Sequence, residues 1–212
     1  MKAMLRKSSL LVLVFAMALG MLAGCGMKPE DAKAYVQATL DAGYKEDFGE
    51  YTKITESTKE EAQKLFDSNI DTVTNSLGLS QFGVSEEMTE KYRELLKETF
   101  SKAKYTVGDV KETDGGFEVK VSAEPMQMFV GLEDALIGEL EKKVKESKED
   151  LDEAAITQLT VDILYDILSQ RLAEVTYGDA QEVTVHVTKN SDGVWNITEA
   201  DLQALDSALF SI

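Results

Sequence analysis

The chain has 212 residues, 43% of them hydrophobic, and sets 22 Lys and Arg against 39 Asp and Glu for a formal charge of −17. Acid in such excess, spread along the whole length, repels phosphate backbones and anionic headgroups, which excludes nucleic acid as a partner. A lone cysteine, Cys25, and a lone histidine, His186, leave no internal disulfide and no two-histidine metal face.

The N-terminus reads apart from the rest. Lys2, Arg6 and Lys7 form a basic head with no acid among the first 24 residues, and Leu10 to Ala23 is apolar except for Gly20. This run falls short of the roughly 20 residues that span bilayer hydrocarbon, but it suits the apolar core of a signal peptide behind its basic head. No second long apolar run occurs, so the remainder is expected to be soluble. The run leads into Leu22-Ala23-Gly24-Cys25. That stretch resembles the lipobox of bacterial lipoproteins. The resemblance implies a diacylglyceryl thioether on Cys25 and cleavage by signal peptidase II between Gly24 and Cys25.

Residues 1–24 are then expected to be a lipoprotein signal peptide, 25–28 a lipidated tether and 29–212 one α+β domain. Two acyl chains hold a protein on a membrane where one is marginal, so the expected location is the extracytoplasmic face of the cell membrane. Loss of the three basic head residues takes the charge from −17 to −20. Only Gly26, Met27 and Lys28 precede Pro29-Glu30-Asp31, a helix-start signal, so the tether spans about 10 Å at most.

A first helix shows Ala32, Tyr35, Val36, Thr39 and Leu40 on one stripe and ends near Gly43, followed by the link "YKEDFGEYTKIT". Ser57 or Thr58, with Glu60 and Glu61 three residues on, opens a second helix by a capping-box pattern. Its stripe is Ala62, Leu65, Phe66, Ile70, Val73 and Leu77. "GLSQFGVS" is a loop. A third helix, Ser85 to about Ala103, carries Met88, Tyr92, Leu95, Leu96 and Phe100. The period then changes. "YTVGDVKET", a turn at Asp114 to Gly116, and the alternating "FEVKVSA" predict a hairpin that Pro125 ends.

A fourth helix is expected from Met126 to Lys148 with Phe129, Leu132, Leu136, Leu140 and Val144 inward. A fifth, Leu151 to Val175, is apolar on more than one side through Ile156, Leu159, Ile163, Leu164, Ile167 and Leu168, and reads as the central helix. "EVTVHVT", a turn at "KNSDG" and "VWNIT" predict a second hairpin. A short helix from Thr198, with Leu202, Leu205 and Leu209, closes the chain. Helices between antiparallel hairpins mean α+β: helices packed on one face of a four-stranded antiparallel sheet made of two hairpins.

"AKAYVQATLDAGYKEDFGEY" after a lipobox, "GGFEVKVSAEP" and "VTVHVTKNSDGVWNIT" resemble a group of uncharacterised small lipoproteins of clostridia-like Gram-positive bacteria. The resemblance implies a cystatin-like or nuclear-transport-factor-2-like shape, with helices curled against an antiparallel sheet. It carries over no catalytic residue, and the long helical pair between the hairpins is extra to the simplest version of that fold.

Few residues suggest chemistry. His186, between Val185 and Val187, falls on the polar face of its strand and reads as an exposed strand residue before a lone base. "NSDG" at Asn190 to Gly193 reads as a hairpin turn before a calcium loop, lacking the full alternation of oxygen ligands. Trp195 reads as an anchor between sheet and helix before a sugar platform. Met126, Met128 and Phe129 suit core packing, or else an apolar pocket for a small ligand. Phosphate-loop, dinucleotide and nucleophile-elbow motifs are absent, so no cofactor is expected. With 39 acids, carboxylate pairs are unavoidable and mark no active site.

The expected function is therefore a membrane-anchored extracytoplasmic lipoprotein of unknown molecular activity. It reads as a non-enzymatic binding or interaction module for a protein, peptide or small partner. The alternative is a small-ligand-binding or degenerate enzyme domain with a pocket between sheet and helices.

Overall fold

The computed structural model describes residues 26–147, 150–191 and 193–210. Four helices come first: α1 (Pro29–Lys45), α2 (Gly49–Thr55), α3 (Lys59–Ser76) and α4 (Glu86–Ser101). A hairpin of β1 (Lys104–Thr113) and β2 (Gly116–Glu124) is next, then two helices, α5 (Leu132–Glu146) and α6 (Glu153–Ala173). The second hairpin is β3 (Gln181–Lys189) with the short β4 (Trp195–Ile197), and α7 (Glu199–Phe210) completes the order.

The four strands form one antiparallel sheet in the order β1-β2-β3-β4. The two hairpins merge through β2 and β3, which pair from Gly116↔Thr188 to Ala123↔Gln181. Alternation sends Phe117, Val119, Val121 and Ala123 of β2, with Val185 and Val187 of β3, to the buried face. Glu118, Lys120 and Ser122 share the opposite face with Thr184 and His186. Lys120 lies 2.8 Å from Glu182 and donates to Thr184 Oγ1 at 3.0 Å across that face. A register shift between Val107 and Val110 bulges β1, the long edge strand, and breaks the regular edge on which another chain would pair.

The helices α1 and α7 lie against this sheet. The start of α1 is as the sequence predicts: Pro29 takes the first helical position, and the Asp31 carboxylate accepts the Lys28 backbone N–H at 3.0 Å. Nine of its residues are buried, from Ala32 to Tyr44. Four of these are Ala32, Ala38, Ala42 and Gly43, whose small size lets the helix approach its neighbours closely. At α3 the choice falls on Thr58: its Oγ1 accepts the Glu61 N–H at 3.2 Å while Glu61 accepts the Thr58 N–H at 2.8 Å. Arg93 of α4 ties α4 to α3 by donating to Asp71 at 2.8 Å and Asp67 at 3.1 Å.

Three expectations change. The link after α1 contains a helix, α2, whose Tyr51 is buried. The fourth predicted helix does not begin at Met126: that residue bridges to Tyr177, a 3₁₀ turn covers Gln127–Phe129, and α5 starts after Gly131 at φ 62°. Of its expected inward residues Leu140 is buried, Phe129, Leu132 and Leu136 are partly buried, and Val144 is exposed. The central helix is α1, not α6. Val161, Ile163 and Leu172 alone are buried in α6; it packs against α5, α4 and the 3₁₀ turn instead of the sheet. Its apolar residues serve two separate contacts, which is why they show on more than one side.

Aromatic hydroxyls are set deep in the core. Burial pushes Tyr35 up to about 12, and it raises Tyr44, Tyr51, Tyr92 and Tyr105 further. The Asp206 carboxylate, which accepts the Tyr44 hydroxyl at 2.7 Å, adds to the effect at Tyr44; Asp41 does the same for Tyr105 at 2.6 Å. The stability gained by keeping these groups neutral is whole below the unfolded tyrosine value near 10 and is lost as pH rises through the folded values. In an alkaline titration their phenolate absorbance should therefore rise together with loss of circular dichroism. Ionisation near pH 10 with the fold intact would contradict their burial.

Gly116 offers a second check. It has φ 150°, and a Cβ there would meet the Val187 carbonyl oxygen at 2.1 Å, whereas a Cβ at Gly115 meets nothing within 4 Å. Gly116→Ala should lower stability in urea by about 1–3 kcal/mol or more, and Gly115→Ala should stay within about 0.5 kcal/mol.

Candidate functional site

Cys25 and its flanking Leu22, Ala23 and Gly24 lie outside the described residues. Close behind them, Met27 is 7% exposed and belongs to the same hydrophobic cluster as Phe210 at the other end of the described chain. The packed body is therefore entered two residues after Cys25. The sequence signal was the methionine itself, which is apolar in a segment read as a linker.

From Met27 the chain runs into α1, whose direction orders the two ends of the sheet. Tyr35, early in α1, hydrogen-bonds the backbone of Ile197, and Ile197 pairs with Val187, itself opposite Phe117. Late in α1, Asp41 takes the hydroxyl of Tyr105, which pairs with Ala123. The start of α1 thus lies at the end of the sheet that carries the β1–β2 and β3–β4 turns.

His186 lies on the open sheet face as expected, with its side chain 48% exposed, but it has a partner that strand alternation does not reveal. The Asp201 carboxylate accepts the His186 backbone N–H at 3.0 Å and approaches its Nδ1 at 3.1 Å. Thr198 donates its hydroxyl to Asp201 at 2.7 Å and accepts the Asp201 N–H at 3.2 Å. A carboxylate on Nδ1 fixes an imidazole tautomer as in many general bases. Here its other bonds are architectural: Asp201 takes up an edge N–H where β4 has ended and closes the first turn of α7. The spacing Thr198-x-x-Asp201 is a capping-box pattern and was the legible clue to this contact.

The other candidates settle into packing. Trp195 is 8% exposed, with its ring 5.6 Å from Phe117 and Lys189 above it at 5.0 Å. Asn190 turns the second hairpin, donating its N–H to the Val194 carbonyl at 2.8 Å and accepting the Val194 N–H on its side chain at 3.0 Å; Gly193 takes φ 78°. Met126 and Met128 are buried, and the Met126 N–H reaches the Leu209 carbonyl at 2.7 Å. The burial of these two methionines is the core packing expected of them. An open groove on α3, lined by Lys59, Gln63, Asp67 and Asp71, is charged and faces solvent. Among the described residues no three His, Cys, Asp or Glu side chains gather as a metal site requires. No described helix is long and apolar enough to cross a membrane.

The pair α5 and α6 forms an arm inserted between the hairpins. Its root is closed tightly. Met126 bridges Tyr177, the Gln127 N–H reaches the Thr176 carbonyl at 2.9 Å, and the Gly178 N–H reaches the Pro125 carbonyl at 2.8 Å. Arg171 of α6 donates to the carbonyls of Met128 and Val130, each at 2.8 Å, just ahead of α5. Tyr92 of α4 donates to the Val161 carbonyl at 2.8 Å and stacks edge-on to Tyr165, docking α6 on the body. Outward of these contacts α5 exposes Ile137 and Val144, and Val130 is exposed just ahead of it. Sequence reasoning assigned Val144 to the interior and overlooked Ile137.

No protein-family model and no curated protein matches the chain. A solved structure does: the crystal structure of ycdA from Bacillus subtilis subsp. subtilis str. 168, a protein assigned as a lipoprotein, with a TM-score of 0.59 and 17% identity. The match covers 85% of this chain and 56% of that one, so this chain spans little more than half of the neighbour's length. The likeness establishes a shared fold.

The Asp201 contact is open to test by substitution. Asp201→Ala removes a helix-start bond and an edge acceptor together and should cost about 1–2 kcal/mol in urea unfolding. His186→Ala keeps both of those bonds and should cost clearly less; equal costs would mean that the ring contact dominates.

Proposed function

We propose that this chain is a lipid-anchored envelope protein. Diacylated Cys25 holds it on the extracytoplasmic face of the membrane, and it works there as a non-enzymatic interaction module. The observation that carries this reading is the burial of Met27 two residues beyond the cysteine of a lipobox-like sequence. A body that begins so close to an acylated residue is held against the bilayer without a stalk. A fold shared with a protein assigned as a lipoprotein supports the same reading. The arm, which leaves Ile137 and Val144 exposed among charged residues, supports interaction as the role.

Cys25→Ala in the full chain is the direct test. The parent should incorporate a fatty-acid label and sediment with membranes, whereas Cys25→Ala should lose the label. A Cys25→Ala chain that still labels and stays in the membrane fraction would sink the lipoprotein reading.

A further inference from the structure

We infer that the outer face of α5 is a docking strip for an amphipathic helix whose apolar stripe is flanked by lysine or arginine. This deepens, and rests on, the reading of the chain as an interaction module. Val130, Ile137 and Val144 are 61%, 41% and 40% exposed. Their spacing of seven residues places Ile137 and Val144 on one line along α5, with Val130 just ahead of it. Large apolar side chains repeated at that interval offer the footing that a partner helix uses at its own i, i+3/i+4 and i+7 positions.

Charge chooses the partner. Glu133 and Asp134 lie four and three residues before Ile137, and Glu141 lies four after it and three before Val144; all three are exposed. Residues at those separations are neighbours on a helix surface, so the apolar line is framed by carboxylates. Among the described residues of α5, the cations Lys142, Lys143 and Lys145 offset this only toward its C-terminus. Lys142 is 3.5 Å from Glu139, and Lys145 is 3.3 Å from Glu141 near the C-terminus of α5. Arg171 is spent on backbone carbonyls at the root. A second copy of this acidic chain would bring like charge to the strip. A helix with basic residues opposite Glu133 and Asp134 instead meets complementary charge along its apolar stripe, which sets both its identity and its direction.

The experiment is photo-cross-linking of the full chain in its native membrane, with p-benzoylphenylalanine at Ile137 and, as the comparison, at Thr184 on the open sheet face. The expected result is an adduct at Ile137 whose cross-linked peptide is amphipathic with Lys or Arg beside the apolar stripe. Glu133→Lys with Asp134→Lys should lower its yield by about tenfold or more. An adduct with a second copy, with lipid or with an acidic segment overturns the inference, as does a yield indifferent to the two lysines. Adducts at Thr184 alone would keep the interaction module and move its surface off α5. No protein adduct at either position would remove both.

Discussion

The pairing of β2 with β3 is the constraint on which the other contacts hang. Each hairpin alone is two strands, and a two-stranded hairpin is marginal in water. Eight aligned residue pairs from Gly116↔Thr188 to Ala123↔Gln181 make them one sheet with one continuous apolar face. That register also fixes the termini of everything inserted between the strands. Because Ala123 sits opposite Gln181, the chain must leave and return at neighbouring points, and the Met126–Tyr177 bridge extends the closure beyond the sheet. The entropy of closing a long insertion grows only slowly with its length. A helical pair can thus project from this point while its root stays as ordered as a turn.

A second consequence is how the apolar face is covered. Hydrophobic content alone would choose α6 as its lid, but α1 holds that place with alanines, a glycine and tyrosines. Small residues let α1 approach the strands, and tyrosines add area while leaving hydroxyls that need partners. Those partners link distant parts of the chain: Tyr44 reaches Asp206 in α7, and Tyr105 on β1 reaches Asp41 in α1. First helix, edge strand and last helix are thereby joined around Phe100 and Phe210, whose rings lie 5.2 Å apart. Burying a carboxylate such as Asp206 is costly unless it is hydrogen-bonded, so the Tyr44 bond restricts how α1 and α7 can be arranged.

What the sequence made legible, and what it hid, divides along local and non-local physics. Helix starts at Pro29, Thr58 and Ser85 are written in side-chain chemistry within four residues, and the structure uses each. Strand alternation in "FEVKVSA" gave both faces of β2 because its period cannot be satisfied in another way. The identity of the central helix was hidden, since an apolar run states that cover is needed without saying which surface supplies it. The start of α5 was hidden by Met126 and Met128, apolar enough to extend a helix, although one is drawn into a bridge and the other into a 3₁₀ turn. At His186 the exposed face was legible and its partner was not, because Asp201 arrives from the next element. The open strip of α5 was masked by the same ambiguity: Ile137 and Val144 look like core residues until the neighbour that would bury them proves to be elsewhere.

The two ends of α1 give the proposed function its geometry. At 1.5 Å per residue its 17 residues extend about 25 Å. The chain enters α1 at the Pro29 end, whereas the arm leaves the sheet beside Ala123 and Glu124, on the side of Tyr105 and the C-terminal half of α1. The root of the arm is therefore set off from the start of α1 by most of the sheet. With Gly26 alone between Cys25 and the buried Met27, little chain remains in which the body can swing. On the proposed reading, a long tether would let one soft domain sample many partners, whereas this arrangement presents one rigid strip at a set remove from its membrane anchor. Selectivity must then come from how well a partner's charge and apolar spacing match Ile137 and Val144, because a domain held this way gains little from reach.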